Sequence, residues 1–147
     1  MSLESGLYII KNQGKYIGRN LAEDMSLLPK RIVTLPESVQ APRWEVEKKD
    51  DNKYILKCQK DATVQFDNLV WAALLPEPLP EKWCIEHVPH HGQNAYVILR
   101  ENREQGWVVT SEEAYQQIGS KPLIVGLSEP PFYPPNEHFE FVRIDRD

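Results

Sequence analysis

Three histidines crowd into one short stretch, "EHVPHHG" at 86–92, which carries His87, His90 and His91. Three imidazoles can bind zinc and, with a water, hydrolyse. This run has no HExxH-type carboxylate beside it and reads as an exposed turn between two strands. His90 and His91, being adjacent, are expected to point different ways. The acidic pairs Glu23–Asp24 and Glu112–Glu113 offer acid–base chemistry, but read more simply as solvated surface or helix-start charge. Cys58 and Cys84 form no CxxC pair, so free thiols rather than a zinc knuckle are expected. No Gly-rich phosphate loop is present. A non-enzyme without metal or cofactor is the expectation.

A different kind of chemistry, recognition, is written into "NLAEDMSLLPK" at 20–30. Leu21, Met25, Leu27 and Leu28 are an unusual apolar load for a stretch that is otherwise a connection. Asn20, Ala22 and Glu23 lead into it. Asp24 and Ser26 can accept hydrogen bonds from nearby backbone and stiffen the curve. Pro29 fixes its own φ and pushes Leu28 toward extended geometry. A stiff, extended, partly apolar loop suits a protein partner's cleft, because pre-ordering cuts the entropy lost on docking. At least one of its leucines is expected to fold back and plug the body beneath.

The elements that hold this loop are strands, and they come in threes. "GLYIIK" (6–11), "KYILK" (53–57) and "AYVILR" (95–100) each set Tyr before an aliphatic run that ends in a base. Their partners are "KYIGR" (15–19), "TVQF" (63–66) and "WVVT" (107–110), across the short polar joints "NQG", "QKDA" and "ENREQG". Third strands are expected at 31–35, 69–75 and 122–127. Proline-bearing connectors follow at 35–42, 75–81 and 129–137, where missing backbone donors argue for ordered loops. Each connector leads to an aromatic strand: "RWEVE" (43–47), "KWCIE" (82–86) and "HFEFV" (138–142). In "TSEEAYQQIG", cap and stop residues predict a short helical turn over 111–118.

Twelve short strands need closure, because an open sheet that long exposes edges. A threefold four-strand repeat (6–47, 53–86, 95–142) is what a β-trefoil supplies: a six-stranded barrel capped by three hairpins, one domain over 1–147. Trp44 with Val46, Trp83 with Ile85 and Phe139 with Phe141 are then expected to point inward together. Function should sit where the threefold pattern breaks, since rigid strands position variable loops. The 20–30 connection is that break.

The bulk numbers agree with a folded, compact body. The chain has 147 residues, 41% of them hydrophobic, with four Trp, six Tyr and four Phe. Seventeen basic against twenty-two acidic residues give a net charge of −5, which disfavours general nucleic-acid binding. "MSLESGLYII" has neither the basic nor the apolar region of a secretory signal, and no apolar run reaches about 18 residues. Cytoplasmic residence, without membrane or nucleic-acid partners, is expected.

With loop and strands together, the chain resembles the fungal β-trefoil serine protease inhibitors of the mycospin or cospin-like group. The resemblance runs along nearly the whole chain and is strongest in "LESGLYIIKNQGKYIGRNLAEDMSLLPKRIV" (3–33). It implies a cytoplasmic, disulfide-independent monomer that defends a fungus by blocking digestive-type serine proteases, trypsin- or chymotrypsin-like. It also implies that the loop between the second and third strands, about Asn20 to Pro29, enters the protease cleft. Met25, Leu27 and Leu28 would suit a hydrophobic specificity pocket, with Asn20 a polar alternative. Arg19 and Lys30, which an acidic-floored pocket would prefer, flank the loop rather than crown it.

Two alternatives stay open. Trefoil lectins of the ricin type carry Gln-x-Trp in each repeat; here Gln105-Gly106-Trp107 matches once. The mycocypins block cysteine proteases through loops that include the first hairpin turn, here Asn12, Gln13 and Gly14. Lys60, in the equivalent turn of the second copy, offers a further trypsin-directed tip.

Overall fold

The computed structural model describes residues 3–76 and 79–144, so residues 77 and 78 of the second proline connector lie outside the described residues. Twelve strands follow one another: β1 Gly6–Asn12, β2 Lys15–Arg19, β3 Lys30–Leu35, β4 Trp44–Lys48, β5 Lys53–Cys58 and β6 Asp61–Phe66. Then come β7 Leu69–Ala72, β8 Trp83–His87, β9 Ala95–Arg100, β10 Gly106–Val108, β11 Gly119–Lys121 and β12 Phe139–Arg143. Helical structure among the described residues is limited to single 3-10 turns at Pro89–His91 and Pro135–Glu137.

All pairings between strands are antiparallel, and six strands close a ring in the order β1, β12, β9, β8, β5, β4 and back to β1. The pairs β1–β4, β5–β8 and β9–β12 lie within one sequence repeat; the other three join successive repeats. The remaining strands form the hairpins β2–β3, β6–β7 and β10–β11. These hairpins pair with each other, β3 to β7 through Arg31 and Trp71, and β7 to β11 through Leu69 and Gly119. Closure removes the edges that an open sheet of this length would expose. Tight turns set the hairpins: Gln13–Gly14, Gln59–Lys60 and Asp67–Asn68 all have positive φ, the twist that two-residue hairpin loops require.

The aromatic strands point inward as their alternation predicts. Trp44, Trp83, Ile85 and Phe139 are fully buried, and Val46 and Phe141 nearly so. Trp107, from β10, joins them at the centre, its ring 5.9 Å from Trp44, 5.4 Å from Trp83 and 6.1 Å from Phe139. A ring that buries ~200 Å² contributes roughly 5 kcal/mol at ~25 cal/mol per Å². The indole of Trp44 donates to the Ile17 carbonyl at 2.7 Å, and that of Trp83 to the Thr63 hydroxyl at 2.8 Å.

The main departures from the sequence expectations lie in the third repeat. No helix forms over 111–118. The backbone donors there are taken by other strands instead: Tyr115 N–H donates to the Thr34 carbonyl (2.6 Å) and Ile118 N–H to the Ile32 carbonyl (2.8 Å). A stretch this short has little helical stability to set against such bonds and against burial of Ile118. Thr110 is exposed and does not cap; Ser111 accepts the Glu113 N–H at 3.1 Å in a local turn.

The third strand of that repeat is Gly119–Lys121, not 122–127. Pro122 has no N–H to continue the ladder, so the chain leaves the sheet there. Only Leu123 of the apolar run packs, against the Cys84, Val88 and Val97 cluster, while Ile124, Val125 and Leu127 stand in solvent. In the second repeat β7 likewise ends at Ala72 rather than at 75.

Candidate functional site

Residues 20–29 join β2 to β3 as a non-helical loop, and its apolar side chains face solvent. Met25 is 98% exposed, Leu21 70%, Leu28 66% and Leu27 63%. No leucine of the loop plugs the barrel. The reason is steric: the interior beneath is already filled by Ile17, Ile32 and the indoles.

Exposure on this scale needs something else to hold the loop, and two buried cations do so. Arg19, at the end of β2, is 6% exposed. Its guanidinium grips Glu23 in bidentate fashion, Nε to Oε2 at 3.0 Å and Nη2 to Oε1 at 2.8 Å. It also donates to Asp61 Oδ2 at 2.7 Å and to the Cys58 carbonyl at 3.2 Å. The Glu23 hydrogen bonds push its pKa above the ordinary guanidinium value. One foot of the loop is thereby tied to the β5–β6 turn.

Lys30, at the start of β3, is equally buried and ties the other foot. Its ammonium donates to the Asp24 carbonyl at 3.1 Å, to the Asp24 carboxylate, and to Ser26 Oγ at 3.4 Å. Asp24 Oδ1 further accepts the Ser26 hydroxyl at 2.7 Å and the Ser26 N–H at 3.0 Å. Ser26 Oγ in turn accepts the Leu28 N–H at 3.3 Å, and Asn20 Oδ1 accepts the Ala22 N–H at 3.0 Å. The Lys30 and Ser26 bonds hold the Asp24 carboxyl at about 2. The polar groups of the loop are thus spent on bonds within the loop and to its two feet, while the apolar side chains face solvent. Gly18 of β2, next to Arg19, lets the first proline connector pack against the strand, since a Cβ there would overlap the Pro42 ring.

The other candidates are structural or peripheral. Asn12 is buried, its amide donating to the carbonyls of Pro135 and His138, both at 2.9 Å. It pins the first hairpin to the last connector, with Gln13 and Gly14 exposed at the tip. Lys60 is exposed in a turn next to Asp61, so it flanks the foot of the 20–29 loop rather than forming an independent tip. Trp107 lies wholly inside the barrel, which removes the Gln105-Gly106-Trp107 match from any surface that a sugar could reach.

His90 and His91 do not point apart. Their rings lie 4.3 Å from each other, and His91 stacks on His138 at 4.4 Å and 11°. Backbone bonds impose this: His90 Nε2 meets the Pro131 carbonyl at 2.6 Å, and His91 Nε2 accepts the Tyr133 N–H at 3.0 Å. His87 Nε2 meets the Gln93 carbonyl at 2.8 Å. Among the described residues, no group of three or more His, Cys, Asp or Glu could hold a metal ion. Both cysteines are buried and free, and burial pushes the Cys58 thiol up to about 11.

One site was not legible in the sequence. Trp71 and Tyr115 stand across a cleft from the loop, a space of about 390 Å³ that is also lined by Asn20, Asp24, Pro29 and Arg31. The helical pattern of 110–119 concealed Tyr115; its real neighbour, Thr34, is far away in the chain.

Known proteins place the whole chain in one family. The family model described as "Peptidase inhibitor I66" matches residues 1–143. A serine protease inhibitor from Lentinula edodes is 43% identical over 145 residues, 98% of this chain and all of that protein. The solved proteinase inhibitor from Coprinopsis cinerea is 39% identical, with a TM-score of 0.89 over 97% of this chain and all of that one. ThreeFoil, a designed threefold-symmetric protein, shares the fold alone, at 14% identity and a TM-score of 0.72 over 95% of this chain and 99% of its own. The match runs from the first residue through the last barrel strand, and the chain belongs to the I66 family of peptidase inhibitors.

Proposed function

We propose that this protein is a monomeric, single-domain β-trefoil that inhibits serine proteases by presenting residues 20–29 as a substrate-like loop. The ring of six strands with three hairpins supports the trefoil reading. The observation that carries the inhibitory reading is the inverted polarity of the loop, with polar groups spent on internal bonds and apolar side chains left in water. Exposed apolar area of this kind does nothing for folding and is recovered only against a partner. The relative from Lentinula edodes, named a serine protease inhibitor, supports the class of target.

In this mechanism the loop backbone lies along the edge of the protease cleft and one apolar side chain enters the specificity pocket. The Arg19 and Lys30 clamps keep the loop from relaxing once it is engaged. Interfaces of this kind bury about 1,600 Å² in total, with a few anchors carrying most of the energy. Arg19 and Lys30 are buried and ion-paired, so neither can reach an acidic pocket floor. Met25, Leu27 and Leu28 remain, and they favour a chymotrypsin-like target over a trypsin-like one. Residence in the cytoplasm and a role in defence belong to the same proposal.

The test is a panel of inhibition constants against chymotrypsin-, trypsin-, elastase- and papain-like proteases. The chymotrypsin-like enzyme should be inhibited most tightly. Replacing 25–28 with glycines should weaken inhibition well over tenfold at unchanged melting temperature. Inhibition that survives this replacement, or that is strongest against papain-like enzymes, would refute the loop assignment.

A further inference from the structure

We propose that Tyr115 and Trp71, with Arg31, form a second contact platform that docks on the protease surface beside its active-site cleft. This inference rests on the loop reading above, and names the part of the inhibitor that the loop does not supply. Three observations carry it.

The platform is continuous with the loop. Arg31 and Trp71 are directly paired across β3 and β7, and Arg31 follows the loop by two residues. Tyr115 lines the same cleft as Asn20, Asp24 and Pro29. A protease that seats the loop must bring its own rim over this surface.

Tyr115 is held where folding alone gives it no reason to be. It has φ +66, a left-handed conformation that a bulky residue adopts at a cost. The segment is fastened to Thr34: Tyr115 N–H donates to the Thr34 carbonyl, Gln116 N–H to its hydroxyl at 3.3 Å, and the Thr34 hydroxyl to the Glu113 carbonyl at 3.2 Å. The outcome of that anchoring is an aromatic ring 47% exposed to solvent. Trp71 is likewise half-buried, with its indole N–H fixed on the Phe66 carbonyl at 3.0 Å. Two fixed aromatics with wet edges and an exposed guanidinium are the residue types that interfaces enrich.

The loop by itself is too small. A stable protease–inhibitor interface takes roughly 20–30 residues a side. Residues 20–29 fall short of that, and the platform is the adjoining surface that completes it.

The decisive comparison uses the full chain with Tyr115→Asn and Trp71→Thr, singly and together, beside the 25–28 glycine variant. Asparagine keeps the left-handed backbone and threonine keeps the strand, so the first removes the phenol alone and the second the indole with its bond to the exposed Phe66 turn. Dissociation from chymotrypsin, followed by surface plasmon resonance, should be about 5- to 50-fold faster for the double variant, with association within about threefold and the melting temperature within 3 °C. Hydrogen exchange of the wild-type complex should show added protection at 113–117 and in β7, as well as at 20–29. If the glycine variant loses inhibition while the double variant dissociates like wild type, the platform is wrong and the loop reading stands. If the glycine variant still inhibits, the loop reading fails. Should the double variant not fold, Tyr115→Asn alone and the exchange footprint decide, and an unprotected 113–117 overturns the platform.

Discussion

Lys30 Nζ sits beneath the 20–29 loop, 3.1 Å from the carbonyl of Asp24 and in contact with its carboxylate, the lysine buried and the aspartate largely in water. A buried ammonium therefore fixes the shape of a segment that has no core of its own. The same cation is removed from any role as a basic side chain for a protease pocket. Lys30→Met keeps the aliphatic stem and deletes the clamp. Inhibition should weaken by about tenfold or more because the loop must then be ordered at the moment of docking. Inhibition assays with hydrogen exchange over 24–28 check this, and unchanged exchange would count against the clamp.

The clamp has a pH window. Asp24 is held at about 2, below its ordinary value of 3.8. A depressed carboxyl contributes order that is complete above the unfolded value and is lost as pH falls through the folded one. Protection of the loop amides, taken relative to their intrinsic exchange rate at each pH, should thus be unchanged from neutral pH to about pH 4 and fall only toward pH 2. Asp24→Asn should show low protection at every pH.

Arg19→Ala strands Glu23 and Asp61 together at the second foot. Removing one partner of a buried ion pair costs about 3–5 kcal/mol, and the partial exposure of both carboxylates places this case at the lower end, about 3. At about 2–4 °C per kcal/mol, the melting temperature should drop by roughly 6–12 °C. Calorimetry near neutral pH measures it.

The stacked imidazoles give stability an acid limit. Burial and neighbouring histidine charge lower the values of both His91 and His138. Protonating His91 would also remove the acceptor for the Tyr133 N–H. The groups around the stack are His90, Tyr133, and Lys11 and Glu140 at the adjoining cavity, with Phe132 edge-on. A histidine with a depressed folded value is neutral when folded, so its stability contribution is present above about 6.5 and lost as pH falls below that. The melting temperature should decline as pH falls from about 6.5, and His91→Phe should flatten the decline.

The central tryptophans are not equivalent. Trp44→Phe removes both volume and the donor to the Ile17 carbonyl, whereas the Trp107 indole N–H has no hydrogen-bond partner among the described residues. Trp44→Phe should be the costlier of the two, by about 1 kcal/mol. Denaturant melts of the two variants compare them.

Local chemistry determined most of this molecule. Alternation of period two, the Gln13–Gly14 and Asp67–Asn68 turns and the proline connectors specify hairpins by interactions within a few residues. The barrel order follows because no repeat can bury its own face. The 20–29 loop was legible for the same reason, as apolar residues where no strand could use them. The direction of those side chains was decided at longer range. Whether Leu27 and Leu28 face inward depends on whether the interior is already full, and Trp107 helps to fill it. That Arg19 is a clamp rather than bait depends on Asp61, which lies in another hairpin, and for Lys30 as well as Arg19 it depends on the burial that only a closed sheet provides. Tyr115 was hidden because helical spacing is a local signal and the hydrogen bonds of Thr34 are not; when backbone donors have distant acceptors of better geometry, the distant ones win. The 122–127 run looked like a strand because hydrophobicity does not record whether a pairing partner remains, and beyond Pro122 the run has, among the described residues, only the single bridge of Gly126 to Phe132.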